Sequence, residues 1–470
     1  MKAYSAQFFR TIVKELSLPL FFGVPVVETL SDQIGCELFN DNVKWNSLTS
    51  LLYRALMLRY WLYPLRSKNS EQIFPEGQIF VTWMDGTPRI TDLVLPVLKQ
   101  LKKIHSCVVL CGNPNVSQYV PYDLPCVAWD HVLSFDVNDW RVEYKQCNKE
   151  WAVKIKSICR QYELPIGAVE ALQFWLMISS QQVMGCISFL KSARPRVILT
   201  DYDRNSKWSC LVLAARLLGI STVTLVHGDM GKDAVACSPV IADKIVCWGE
   251  LGREKLISAG EPAQKIFIGG CPRLSRNLSA TPAVSRMKLL LDPLKPAVMY
   301  TATNDEQNMK LVESFCQALE KLDFVSGFVR LHPAEKLSLY SDMIDKHPTV
   351  KFFESNIASL DESIASAEAV VFHSSNMGND VLAKRLPLVL LDFNEYPSGL
   401  GCDVVTLAGC PHVRTSHELA DVLSKILLDD SFRRKQVLAA EPYVESFCCA
   451  YGEESARLTA DFIRRQVVCP

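Results

Sequence analysis

The chain has 470 residues, 49% of them hydrophobic and 21% charged, a globular balance that excludes a disordered or fibrous protein. That length exceeds one ordinary core, so two or three domains are expected. Lys+Arg 50 against Asp+Glu 51 leave a net charge of −1, which argues against binding nucleic acid through a broadly basic surface.

Residues 1 to about 75 read as a helical, irregular extension with aromatic clusters such as LLYRALMLRYWLYPL. The opening MKAYSAQFFRTIVKEL lacks the continuous apolar run and small-residue cleavage site of a secretory signal. LPLFFGVPVV is about half a membrane span and holds two prolines, so it is no transmembrane helix. A membrane-surface role for this N-terminal region is retained as an expectation. From Gln78 the pattern becomes strand–helix alternation: QIFVTW, DLVLPVLKQLKK, SCVVLCG and CVAWD. Two long helices are expected over residues 139–194. RVILTD, WSCLVLAARLLG, STVTLVHG, KIVCWG, ELGREKLISAG and KIFIGG continue the alternation. Such order predicts parallel βαβ units.

Asn277 to Pro296, polar and proline-rich, breaks the pattern and predicts a linker. A second α/β unit follows: AVMYTAT, a helix from about Glu306 to Leu322, GFVRLHP, VKFFES, AVVFHSS, a helix from Ser375 to Arg385, LPLVLLD and then DVVTLAG as the last extended run, with helices from about Ser416. The expected fold class is therefore α/β of GT-B type: two Rossmann-like domains with parallel sheets and a cleft between them, plus helical N- and C-terminal segments. The expected boundaries are 1–276 for an acceptor-binding domain (1–75 its helical extension), 277–296 for the linker, and 297–470 for a nucleotide-sugar-binding domain with terminal helices.

The 17 cysteines are scattered through apolar runs, with no CxxC and one adjacent pair, Cys448-Cys449. Reduced, buried thiols in a cytoplasmic protein are expected, with no metal site. There is no GxGxxG after an early strand, no GKS/T loop and no HExxH, so a dinucleotide cofactor is not expected.

In open α/β sheets ligands bind beyond the carboxyl ends of strands, and the polar groups there are the candidates. After GFVRL comes His332-Pro333, where proline holds the imidazole at the strand end; Arg330 lies just before it. After AVVF come Ser374, Ser375 and Asn376, which suit a phosphate at a helix start, or serve simply as a cap. After RVILT come Asp201, Asp203, Arg204 and Asn205; the carboxylates can act as base or nucleophile, and Asp203 or Asn205 can cap the next helix. His227-Gly228 follows STVTLV. Asp85 and Arg89 follow QIFVTWM. Trp83 and Trp248 are read as core.

His-Pro after one strand of the C-terminal unit and Ser-Ser after a later one resemble the HP and SS motifs of bacterial CMP-sugar transferases, which include sialyl-, polysialyl- and Kdo transferases. The segment VILTDYDRNSKW…AARLLGISTVTLVHGDMG with ADKIVCWG is similar to retaining β-Kdo transferases of capsule and O-antigen assembly. It is similar too to CDP-glycerol glycerophosphotransferases and the UDP-GlcNAc 2-epimerase class. Met84 stands where the sialyltransferase motif has its first acid, which turns the resemblance toward Kdo.

The resemblance implies a lipopolysaccharide- or capsule-type glycosyltransferase moving Kdo from a CMP-activated donor to a glycan or glycolipid acceptor. His332, Pro333, Ser374, Ser375, Asn376 and Arg330 would hold the nucleotide. Asp203 would be the nucleophile, Asp201 an orienting group or base, and His227 a proton carrier. Asp85, Arg89, Arg204 and Asn205 would contact acceptor or sugar. No cofactor or metal is required, since CMP carries less charge than a nucleoside diphosphate. The protein would work in the cytoplasm or at the inner face of the membrane, alone or with other glycan-synthesis proteins. Two alternatives remain open at this point. One is a CDP-glycerol-type phosphotransferase or UDP-sugar epimerase or transferase on the same fold, with Glu368 or Asp380 as candidate ribose-binding acids. The other is a non-catalytic scaffold.

Overall fold

Runs of Val, Ile, Leu and Phe without polar alternation form strands covered on both faces. The structure, a computed structural model, describes residues 6–16, 19–30, 45–65, 78–228, 230, 234, 237–304, 307–374, 377–396 and 399–468. Among them, β1 (Ile79–Trp83), β2 (Cys107–Cys111), β3 (Cys126–Ala128), β4 (Val197–Thr200), β5 (Ser221–Leu225), β6 (Lys244–Cys247) and β7 (Ile266–Ile268) form one parallel sheet in the order β3-β2-β1-β4-β5-β6-β7. A second parallel sheet contains β8 (Ala297–Thr301), β9 (Ser326–Arg330), β10 (Val350–Phe353), β11 (Ala369–Phe372), β12 (Leu388–Leu391) and β13 (His412–Val413), in the order β10-β9-β8-β11-β12-β13. Every residue of β1, β2, β4, β8, β11 and β12 is buried.

In each sheet the chain reverses direction beside its first strand. The resulting topological switch lies between β1 and β4 in one sheet and between β8 and β11 in the other. Those are the places where this architecture leaves a crevice at the carboxyl edge.

The chain divides into a unit of residues Met1–Arg273 with Gly452–Pro470 and a unit of residues Leu274–Tyr451. This corrects the expected placement of the last helix. Gly452–Val468 buries Ala456, Ala460, Ile463 and Val467 in the same core as Leu93, Val97, Val109 and Leu199 of the first unit. Those four positions recur at helical spacing and form one apolar face. The second unit has its own core, including Tyr300, Phe315, Val329, Tyr340, Val371 and Leu419.

Two further expectations change. DVVTLAG is not extended: Gly399–Thr406 is a helix that buries Val404, and the last strand is His412–Val413. Cys111 and Cys126 form a disulfide, with Cα atoms 6.7 Å apart; the parallel pairing of β2 and β3 sets Cys126 opposite Val109, two residues before Cys111. Most of the other described cysteines are buried. Among the described residues no helix is long and apolar enough to cross a membrane.

Candidate functional site

The carboxyl edge of the first sheet gathers most of the residues singled out from sequence. Asp201, next after β4, is 1% exposed. Its Oδ1 accepts from the Thr82 hydroxyl at 2.8 Å and its Oδ2 from the Met84 amide at 2.8 Å, so it ties β4 to the end of β1. Burial pushes its carboxyl up to about 7, against the pull of those hydrogen bonds. Asp203 is 2% exposed. Its Oδ2 accepts the Ile241 and Ala242 amides at 2.7 and 2.8 Å, and burial raises it to about 6. A nucleophile needs an oxygen that can reach carbon. Asp203 fastens the loop before β6, and Asp201 is likewise bonded to the end of β1. The cap is settled in favour of Asn205, whose Oδ1 accepts the Lys207 amide at 3.0 Å at the start of the helix Ser206–Leu217.

Asp85 differs from both. It is only partly buried, and its Oδ1 accepts the Thr87 amide at 2.9 Å and also the Thr87 hydroxyl. That turn starts the helix Pro88–Leu101, whose first turn carries Arg89, an exposed residue. Gly86 is required beside it, because a Cβ there would lie 2.2 Å from the Tyr119 ring.

His227, two residues beyond β5, packs edge-on to Tyr202 with ring centroids 4.6 Å apart. Its Nδ1 is buried without a hydrogen-bond partner among the described residues. Burial, reinforced by Arg89 and Arg204 and opposed by Asp85, lowers its pKa to about 4. Arg204 itself is 3% exposed. His227 is therefore neutral across the physiological range, set among two guanidinium groups and one carboxylate. Because its folded pKa lies below the usual 6.5, it favours the fold above pH 6.5, and that contribution fades as pH falls toward 4. His227→Gln is therefore expected to show a shallower loss of thermal stability between pH 6.5 and 4.5 than wild type, read by calorimetric scans across that range.

In the second sheet, His332 lies two residues beyond β9. Its Nδ1 accepts the Ala334 amide at 3.2 Å, a turn that Pro333 favours by fixing the backbone. With Nδ1 accepting, Nε2 is the ring nitrogen left to donate. Glu335 accepts the His332 amide at 3.2 Å and the Tyr340 hydroxyl at 2.9 Å. Tyr340 accepts from Asn308 Nδ2 at 2.6 Å, and Asn308 Oδ1 accepts the Thr303 amide at 3.0 Å. This network joins the loops after β8 and β9.

Ser374 is exposed just beyond β11, while Ser375 and Asn376 lie outside the described residues. Gly378 is buried, and a Cβ there would meet Phe372 at 3.2 Å and Leu388 at 3.3 Å. Its smallness serves helix–sheet packing. Arg330 donates to the Ala358 carbonyl at 2.6 Å, Ser363 Oγ at 3.0 Å and the Ser355 carbonyl at 3.1 Å. Those bonds make it a brace for the loop after β10.

Sequence reasoning missed two groups here. Thr301 ends β8, is 1% exposed, and its hydroxyl has no partner among the described residues. His373 directly follows β11 and sets its Nδ1 3.3 Å from the Leu391 carbonyl. Both sit at the β8/β11 switch. A strand-end position was their only signal, and it does not separate them from ordinary core and loop residues.

No family model matches the chain, and no curated protein matches it. Solved structures share its fold. A UDP-N-acetylglucosamine 2-epimerase is similar at 13% identity and TM-score 0.54, over 83% of this chain and 96% of that one. The UDP-GlcNAc 2-epimerase of Neisseria meningitidis bound to UDP-GlcNAc is similar at 13% identity and TM-score 0.53, over 83% and 99%. The wall teichoic acid polymerase TagF, solved with CDPG, is similar at 12% identity and TM-score 0.51, over 90% and 97%. The chain has the GT-B fold of two Rossmann-like domains. At these identities the likeness establishes architecture.

Proposed function

We propose that this protein is a glycosyltransferase that takes a sugar, foremost Kdo, from a CMP-activated donor and passes it to a glycan or glycolipid acceptor. The observation that carries this reading is His332 at the carboxyl edge of the second sheet, its Nδ1 occupied by the Ala334 amide. Nε2 is then the ring nitrogen that donates to a phosphoryl oxygen. Ser374, exposed just beyond β11, supplies a further donor at the neighbouring switch. A monophosphate leaving group needs less neutralisation than a diphosphate, so this donor set suffices without a metal or cofactor. In the first unit, Asp85 is the carboxylate that takes the proton from the incoming acceptor hydroxyl as that oxygen attacks the anomeric carbon and CMP leaves. Asp201 and Asp203 fasten neighbouring backbone, and neutral His227 donates or accepts a hydrogen bond to the acceptor, with the exposed Arg89 favouring an anionic acceptor group.

A second reading is supported by the solved structures that hold UDP-GlcNAc and CDPG: a UDP-sugar epimerase or transferase, or a CDP-alcohol phosphotransferase. Against a ribose-binding acid at Glu368, that carboxylate is paired with Arg286 and accepts the Ala297 amide at 2.6 Å; Asp380 is 5% exposed. Hydrolysis of CMP-Kdo, CMP-sialic acid, CDP-glycerol and UDP-GlcNAc, followed side by side, decides between the readings. Turnover of CMP-Kdo above the other three is expected; turnover of UDP-GlcNAc or CDP-glycerol alone would replace the proposal with the second reading.

A further inference from the structure

The helix Ser47–Leu62 is built inside out. Its sequence, SLTSLLYRALMLRYWL, places Leu48, Leu51, Leu52, Leu58 and Leu62 at helical spacing on one face, and all five lie on the outside. Leu48 is 75% exposed and even the most covered, Leu62, is 55% exposed; Tyr63 just beyond is 75% exposed. No residue of this helix is buried. Its other face packs through aromatic rings: Tyr53 against Phe174 and Trp175 at 5.6 and 6.0 Å, and Tyr60 against Phe174 at 5.9 Å. The helix thus adheres by its aromatics and leaves its leucines in water, the reverse of the usual arrangement.

Charge narrows what covers the stripe. The helix contains Arg54 and Arg59 and no acid. Arg54 is paired with Glu170 at 2.6 Å. At the far end Arg141 and Lys145 lie over the Trp61 ring at 5.4 Å each, and Arg141 also donates to the Trp61 carbonyl. A leucine stripe running to the exposed Tyr63, with Arg59 on the same helix and Arg141 and Lys145 over Trp61 at its far end, matches a helix lying in the headgroup plane of an anionic bilayer. A second copy fits less well. One 16-residue helix is about 24 Å long, and its single stripe is narrow against the roughly 800 Å² per partner of a stable interface.

We infer that Ser47–Leu62 docks this protein on an anionic lipid surface. The inference stands apart from the donor chemistry and goes beyond it. The test is co-sedimentation of the full chain with vesicles of phosphatidylcholine alone and of equal parts phosphatidylcholine and phosphatidylglycerol. Wild type is expected to sediment with the anionic vesicles, to stay in solution with the neutral ones, and to release as salt is raised. Leu51→Glu/Leu58→Glu is expected to lose at least about tenfold in partitioning, with an unchanged thermal midpoint because both positions are more than half exposed. Arg59→Glu/Lys145→Glu, which leaves the stripe intact, is expected to lose more than about tenfold as well. Wild type remaining in solution with anionic vesicles would overturn the inference, as would both variants binding like wild type. A concentration-dependent dimer that the leucine variant abolishes would overturn it too, by assigning the stripe to a second copy.

Discussion

Asp85→Asn is expected to lower sugar transfer by roughly 10²–10⁴-fold, the usual worth of a positioned general base, while CMP affinity stays at the wild-type value. The two outcomes separate because Asp85 belongs to the first unit and the donor contacts to the second. The choice of Asp85 rests on exclusion by geometry. Three carboxylates stand at the β1/β4 edge; two of them, Asp201 and Asp203, are 1% and 2% exposed and spend oxygens on backbone amides. Asp203→Asn is the matching control. Asparagine keeps one acceptor oxygen for Ile241 and Ala242, so turnover is expected to survive with a fall in thermal midpoint. Steady-state rates and calorimetric titrations on the two variants check both statements. Loss of turnover in Asp203→Asn without loss of stability would return the nucleophile role to it.

Much of the architecture was legible because parallel strands buried on both faces need uninterrupted apolar runs. RVILT, AVVF and LPLVLL became β4, β11 and β12 within a residue or two of their readable limits. The last helix was legible as amphipathic, since Ala456, Ala460, Ile463 and Val467 recur at helical spacing. Nothing in that spacing says which core the face meets, and it met the first. The same limit governs the site. Residue type and strand-end position marked Asp201, Asp203 and His332 correctly as edge residues. Their partners lie far along the chain: Asp201 bonds to Thr82 and Asp203 to Ile241 and Ala242. Only those partners distinguish an anchor from a reacting group. Arg330 is the same case, its guanidinium spent on carbonyls of the following loops. The Cys111–Cys126 pair was hidden because sequence does not show that β2 and β3 are neighbours.

His332→Ala is expected to weaken CMP binding by roughly 10–100-fold, the value of a hydrogen bond to a charged group, with the stability of the second unit little changed because the side chain is only partly buried. His332→Gln retains an N–H donor but loses the ring whose Nδ1 is tied to Ala334, and is expected to bind with intermediate affinity. Glu335→Gln acts one step back. It keeps the size of the side chain but removes the charge that accepts from both the His332 amide and Tyr340. A severalfold loss, smaller than that of His332→Ala, is expected from it. Calorimetric titration of CMP into the three variants gives the order. Equal affinity in wild type and His332→Ala would remove the histidine from the nucleotide site.

If the nucleotide binds at the β8/β11 edge of the second unit, beside the loop that carries His332, amide hydrogen exchange of the full chain with and without saturating CMP will show it directly. New protection is expected in residues 300–304, 331–335 and 372–374 of the second unit. Protection confined to the first unit, or none at CMP concentrations that saturate calorimetric binding, would contradict it.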